Sequence, residues 1–526
     1  MKTIQNRNTN PTPICNTAFQ ELKKLTNPKT FSRYQNHINS KITSFINSNK
    51  HLLETLYNVK DNLKFTTSIN HNKLDNTTQI PPFSEIFKYL ATQPTFLENF
   101  SSSEQKTIQT TAKKSNEAIY DFLKKDELSK KITKQYYYLS PDIKTYLETQ
   151  YPSIKFHELL INSFTSFEII EDLENNIKDL ITFDINWNGR EYKNFIYLFT
   201  YKLSKYSNKY SDILKLGNEI ISRILFFNQY LETDKIPSKF IIFMTDNKKE
   251  IDENIINHLH FKTININTAV TNSSDIIIYR QQELLKSIFH EMIHFHNLDF
   301  RHTPEHIMNY LFKTHNISRE NEYIIFESVC ESLANVLNNI YLSPDIDIFK
   351  TNLEKELLFS TLQLGKILSI CKYSRWGQFA QVDKTGQPDS NKQFKQDSCV
   401  FSYYVLKFYI LLNLETHFKN IVPHKLKFIE NDDNYNNLIQ IYDMSRNDTY
   451  LETIINDMLK NKSKMNNIKM NNITNRNNKK TKKNKNHNNS HSSNNYKKNN
   501  KTNKIQRTLR MTCVETNNKA ISKNTI

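Results

Sequence analysis

Apolar residues recur at three- and four-residue steps over Gln281–Asn297, where Leu284, Leu285, Ile288, Met292 and Phe295 share one face and no Gly or Pro interrupts. That step predicts a core-facing helix. Just before it, Asp275–Tyr279 is a short continuous apolar run and predicts a buried strand, while Ile264, Ile266, Thr268 and Val270 alternate with polar residues as a half-exposed strand does. Helical steps also mark Asp212–Tyr230, Glu322–Asn335, Asp345–Cys371 and Asp397–Leu414, and Lys239–Thr245 reads as a strand. From Phe19 to about residue 151 helical patterns dominate, as in Ile42, Phe45, Leu52, Leu53 and Leu56, broken by a polar loop that ends at Pro81-Pro82. The expected class is α+β and mainly helical. The expected organisation is a disordered leader over 1–18, a helical N-terminal domain over 19–150, a strand-bearing body over 151–459 and a disordered tail over 460–526.

Charge sharpens the last boundary. From Lys460 onward there are 18 Lys and Arg against one acid, Glu515, so the tail carries the whole net charge of +17 and residues 1–459 are balanced. This Lys/Asn-rich stretch cannot bury enough apolar surface to offset the entropy of ordering. A basic arm of this kind suits nonspecific nucleic-acid or other polyanion binding, and a solvated extension without function is the plainer alternative. Its last stretch, Ile505–Glu515, is less repetitive and could dock as a strand on an exposed edge. Deleting 460–526 is expected to abolish polyanion binding and to leave the body's chemistry intact.

The five cysteines, Cys15, Cys330, Cys371, Cys399 and Cys513, show no paired spacing, which argues for a reducing compartment and against a thiolate metal site. Met1–Thr17 is polar, without the apolar core of a signal peptide, and the longest apolar run, Cys399–Leu412, contains Lys407 and is too short to span a bilayer. A non-secreted, cytoplasmic protein without a membrane span is expected.

The chemistry lies in His290-Glu291-Met292-Ile293-His294. Two imidazoles four residues apart share one helix face and can converge on one zinc ion, with the intervening Glu beside a metal-bound water as general base. Two strands followed by such a helix is the order expected of a zinc peptidase core. The competing reading is a buried amphipathic helix whose two His are merely hydrogen-bonded. A catalytic zinc needs a third protein ligand. The pattern with a third His soon after the helix fails, because Asn297 and Phe300 stand at its last two positions. His296 points to another face. His302 and His306 flank Thr303-Pro304, an expected helix start, and read as solvated or capping. Asp299 is a weak competitor.

Downstream, Glu322-Tyr-Ile-Ile-Phe-Glu327-Ser-Val-Cys-Glu331-Ser-Leu-Ala-Asn335 is where the chain resembles the gluzincin group of zinc metallopeptidases. In that group a second helix supplies a Glu ligand, often with Ala at the third place after it and an acidic or amide residue at the fourth that holds the first ligand His. Glu331-Ser-Leu-Ala334-Asn335 fits this pattern, and Glu327-Ser-Val-Cys330-Glu331 fits it less well. The resemblance implies Glu331 as ligand with Asn335 or Glu327 supporting it; Glu327 as ligand is the alternative, both carboxylates lying on one helix face. Over about 235–415 the chain is also similar to uncharacterised metallopeptidase-like proteins of giant DNA viruses, which implies a zincin-like core, a host-cytoplasm, viral-factory or virion location, and no particular substrate.

The expected activity is therefore hydrolysis of a peptide or protein substrate, with zinc on His290, His294 and Glu331 and Glu291 as base. The alternative is a catalytically silent zincin-fold structural or virion protein acting through its basic tail. Trp376–Pro388, which holds two of the five glycines, reads as a flap, and Tyr403 and Tyr404 as packing residues from whose side an oxyanion donor could come.

Overall fold

The chain is described here from a computed structural model, which places residues 13–73, 83–125, 176–201, 209–251, 274–300, 302–385, 398–422, 425–461 and 508–514, with shorter pieces between 255 and 271 and between 393 and 396 and a few single residues. A mixed sheet stands at its centre. Its strands are β1 (Thr66–Lys73), β2 (Ile177–Trp187), β3 (Arg190–Tyr201), β4 (Lys239–Phe243), β6 (Ala269–Thr271) and β7 (Asp275–Ile278), in the order β1-β2-β3-β4-β7-β6; the two-residue β5 (His260–Phe261) pairs elsewhere, with β8 (Lys395–Gln396). β3, β4 and β7 run parallel, β1-β2-β3 are antiparallel neighbours, and β6 closes the edge antiparallel to β7.

The period-2 rule explains why β4 and β7 read as unbroken apolar runs. Phe240, Ile242, Ile276 and Ile278 face the large helical core, while Ile241, Phe243, Ile277 and Tyr279 build a smaller core on the opposite face. Both faces are covered, so neither strand alternates.

Against the first face lies the predicted motif helix, observed as Leu284–Phe295. It is wedged between the helix Lys209–Tyr230 and the helix Phe326–Leu342, hereafter the glutamate helix, with Phe289 meeting Phe226 and Tyr341 ring to ring at 6.0 Å each. The long helix Ile346–Ile370 backs the glutamate helix. Every residue of the motif helix except His294 is buried, so its position is set by packing on all sides.

The expected N-terminal domain divides. Helices Pro13–Leu25, Pro28–Ser48 and Lys50–Asp61 pack on the long helix and its neighbours and share the main core, and β1 joins the main sheet. The helices over 83–125 gather instead around their own core of Ile86, Phe87, Leu90, Phe96, Ile108 and Ile119. The expected disorder over 1–18 is corrected from Pro13 onward: a helix starts there, and Cys15 and Ala18 are buried.

The tail also departs from expectation. Residues 462–507 and 515–526 lie outside the described residues, and with them most of the expected disorder and the proposed polyanion arm. Residues 508–514 do not sit on an exposed edge: Leu509 and Cys513 are at most 1 % exposed, and one bridge, Thr508 to Glu250, is all the strand pairing the segment makes among the described residues. Deleting 460–526 therefore removes part of the core. The expected flap is corrected in the same way. Trp376 is fully buried with its indole N–H on the Arg446 carbonyl, and short helices follow over Gly377–Ala380 and Val382–Thr385; residues 386–392 are not described. Among the described residues no helix is long and apolar enough to cross a membrane.

Candidate metal centre

His290 and His294, one turn apart on the motif helix, point to the same side, and their Nε2 atoms stand 3.1 Å apart. Glu327, from the first turn of the glutamate helix, brings Oε2 to 3.2 Å from His290 Nε2 and 3.5 Å from His294 Nε2. The other ring nitrogens face carboxylates too: His290 Nδ1 is 2.9 Å from Glu331 Oε2, and His294 Nδ1 is 2.8 Å from Asp299 Oδ2. Glu331 is fully buried and has both oxygens on the Lys286 ammonium, at 2.6 and 2.7 Å.

These contacts fix the tautomers by inference. A carboxylate accepts, so each Nδ1 carries the ring proton and each Nε2 presents a lone pair. Two lone pairs and a carboxylate oxygen then face one another with no proton left to join them. A cation among the three relieves that repulsion, either added protons or a metal ion. The nitrogen and oxygen donors suit zinc. Burial opposes charge on His290, but Cys330 and the carboxylates of Glu327 and Glu331 outweigh it, and the imidazole is held well above its ordinary range. His294 follows suit, with burial outweighed by Cys330, Glu327 and Asp299. Glu327 is held far below the usual carboxylate range, because the two imidazoles overcome the penalty of burial.

The geometry thus separates the two candidate carboxylates. Glu327, the alternative in the sequence reading, meets both Nε2 atoms; Glu331, the preferred ligand there, grips the back of His290 and is already paired with Lys286. Asn335 does not touch either ring and bonds Glu331, through its carbonyl at 3.0 Å and Oε1 at 3.3 Å. Asp299, weighed as a rival ligand, orients His294. His296 turns away to Asn228 at 3.1 Å. The helix expected from Thr303-Pro304 starts one residue later, at Glu305, with His302 and His306 both exposed. Cys330 is a donor the spacing argument had set aside. It offers Sγ within 4.8 Å of a ring nitrogen of each His, while its thiol donates to the His290 carbonyl at 3.3 Å.

Glu291 lies on the flank nearer the sheet edge, 4 % exposed, with Oε2 accepting a 2.7 Å hydrogen bond from Thr271 at the end of β6. Burial raises its carboxyl above the ordinary range, more than the nearby His290 and His294 lower it. β6, His290, Glu291, His294, Glu327 and Tyr403 all line one cleft of about 850 Å³. Among the described residues β6 is the last strand of the sheet, the place where one row of backbone N–H and C=O goes unpaired, and it borders the cleft. β6 covers only the end of the alternation expected over Ile264–Val270: Ile266, Asn267 and Thr268 lie outside any strand, and residues 262–265 are not described.

Tyr403 belongs to a π-helical turn, Phe401–Leu406, a local irregularity often found at functional sites. Its hydroxyl donates to Glu327 Oε2 at 3.0 Å, so it faces the site as well as the core. Burial first, and Glu327 next, hold this phenol well above its ordinary range, which keeps it a neutral donor. Tyr404 points away, to the Leu509 carbonyl. Lys286 and Thr271 were not singled out from the sequence; a Lys one turn before His290, among Leu284, Leu285, Ile288 and Phe289, was the signal for the first. No protein-family model, no curated protein and no solved structure matches this chain.

Proposed function

We propose that the chain is a zinc-dependent peptidase in which His290, His294 and Glu327 hold the metal and Glu291 is the general base. One observation carries the reading: both imidazoles turn Nε2 toward a shared carboxylate while separate carboxylates hold each Nδ1. A bound divalent ion supplies Lewis acidity, lowering the pKa of water and polarising a carbonyl. Added protons would satisfy the same carboxylates; the cleft that opens beside the three donors, with Glu291 on its wall, favours a metal ion over them.

The chain's own groups account for the remaining work. An extended substrate pairs its backbone with the free edge of β6, which brings a peptide bond beside Glu291. Glu291, raised by burial, accepts a proton from the attacking water and passes it to the departing amine. The proton moves from water to carboxylate to nitrogen as the C–O bond forms and the C–N bond breaks. Tyr403, neutral and two residues into the π-turn, turns its single O–H from Glu327 Oε2 to the oxyanion.

The test compares wild type with Glu291→Gln. Both are expected to carry one zinc per chain by elemental mass spectrometry, and only wild type is expected to cleave a broad peptide library. Metal retained by both, with no cleavage by either, refutes the peptidase reading.

A further inference from the structure

Residues 508–514 run through the interior as a peptide bonded mostly by side chains rather than by another strand. Lys366 Nζ donates to the Thr508 carbonyl at 2.8 Å and Lys407 Nζ to that of Met511 at 2.6 Å. From the other side Glu283 Oε1 accepts the N–H groups of Met511 and Thr512, at 2.5 and 2.7 Å, and Glu356 Oε2 accepts that of Cys513 at 3.0 Å. Two ammonium groups and two carboxylates, each on a residue no more than 6 % exposed, are thus directed at the backbone of one short segment. Groups so buried are costly to leave unpaired. Recognition through backbone atoms is how proteins hold extended peptides.

The segment also reaches the candidate metal centre. Glu283 stands immediately before the motif helix in a left-handed conformation, φ 63°, which a non-glycine residue keeps only when its surroundings enforce it. Two of the bonds that hold it come from the segment. Met511 Sδ is 4.0 Å from Lys286 Nζ, and Met511 forms part of the cleft wall without closing the cleft.

We infer that residues 508–514 are an intramolecular peptide ligand, held in a built receptor groove of the body, that braces the start of the motif helix and completes one wall of the cleft. Between body and ligand lies the Lys/Asn-rich stretch 462–507. Cleavage there leaves a body and a C-terminal fragment with no covalent link, held together by noncovalent contacts that include those above. The inference rests on this packing and is independent of the metal and peptidase readings.

The test uses the full chain with a specific-protease recognition sequence inserted within 462–507 and cut after folding. The fragment is expected to co-elute with the body on gel filtration. The same chain carrying Leu509→Asp, which puts a charge at a fully buried position, is expected to release it and to lower the thermal unfolding midpoint by several degrees. Release of the wild-type fragment together with unfolding of the body also supports the inference. A fragment that departs while the body's midpoint stays at the uncut value overturns it, and so does a Leu509→Asp fragment held as firmly as the wild-type one.

Discussion

Glu327 and Glu331, one helical turn apart, take opposite nitrogens of the same imidazole: Glu327 lies 3.2 Å from His290 Nε2 and Glu331 lies 2.9 Å from His290 Nδ1. Identical side chains on one helix face therefore have different work. The difference is set by Lys286, which neutralises Glu331 and leaves Glu327 as the carboxylate between the two rings.

Metal content separates the two roles. Glu327→Ala removes an oxygen donor and is expected to lose zinc on dialysis. Glu331→Gln keeps a hydrogen-bond acceptor at Nδ1 and is expected to bind zinc roughly 10–100-fold more weakly, the usual cost of losing an orienting partner. Cys330→Ala leaves affinity unchanged if the thiol is no ligand. Elemental analysis with a competing chelator reads all three, and zinc loss confined to Cys330→Ala would point to the thiol as the third donor.

Lys286 and Glu331 also bear on stability. Each is no more than 2 % exposed. Burial alone lowers the Lys286 ammonium, yet Glu331 and Glu283 more than compensate, and its net shift is upward. Lys286→Met strands a buried carboxylate and is expected to cost about 3–5 kcal/mol, as breaking buried pairs does. Adding Glu331→Gln should return much of that loss. Urea titrations of wild type, single and double variants measure it; a single variant as stable as wild type sinks the argument.

The sequence made the centre legible only in part. His290, Glu291 and His294 follow from spacing alone, because four residues on a helix return a side chain to the same face. The helices Lys209–Tyr230 and Ile346–Ile370 were legible from the same helical step, and the inner strands Lys239–Phe243 and Asp275–Ile278 from continuous apolar runs that are covered on both faces. Spacing cannot distinguish Glu327 from Glu331, which share a face; which one reaches the rings depends on how the two helices cross. Nor does local pattern show that Asp299 turns back onto His294, or that residues 508–514 return to the core from beyond a long basic stretch. Those contacts join distant parts of the chain, and the low-complexity flank hid the second of them.

The acid side of the activity profile reports on Glu291. Its carboxyl is raised, chiefly by burial, and must be ionised to accept a proton. Activity should therefore rise with pH through a value above the ordinary glutamate range of about 4.3. The Thr271 hydrogen bond favours the ionised form, so Thr271→Val is expected to move this limb to still higher pH. Tyr403→Phe should lower kcat by about 10²-fold or more while leaving the limb in place, as loss of an oxyanion donor does. Rates measured from pH 4 to 9 with saturating peptide distinguish these outcomes, and a limb that stays fixed in Thr271→Val contradicts the assignment of Glu291.

Acid sensitivity of the fold has a separate source in His417. Its ring is fully buried beside Phe418, neither nitrogen has a hydrogen-bond partner among the described residues, and desolvation lowers it to about 3. The unfolded chain takes up a proton near pH 6.5, whereas the folded ring stays neutral down to about pH 3. Protonation therefore favours the unfolded state, and stability falls as pH drops from 6.5 toward 3, by up to about 1.4 kcal/mol per unit. His417→Phe retains a ring and removes the titration. Its unfolding free energy should fall less than that of wild type between pH 7.5 and pH 5, with the difference widening as the solution is acidified. Parallel pH curves for the two proteins would show that some other group sets the acid limit.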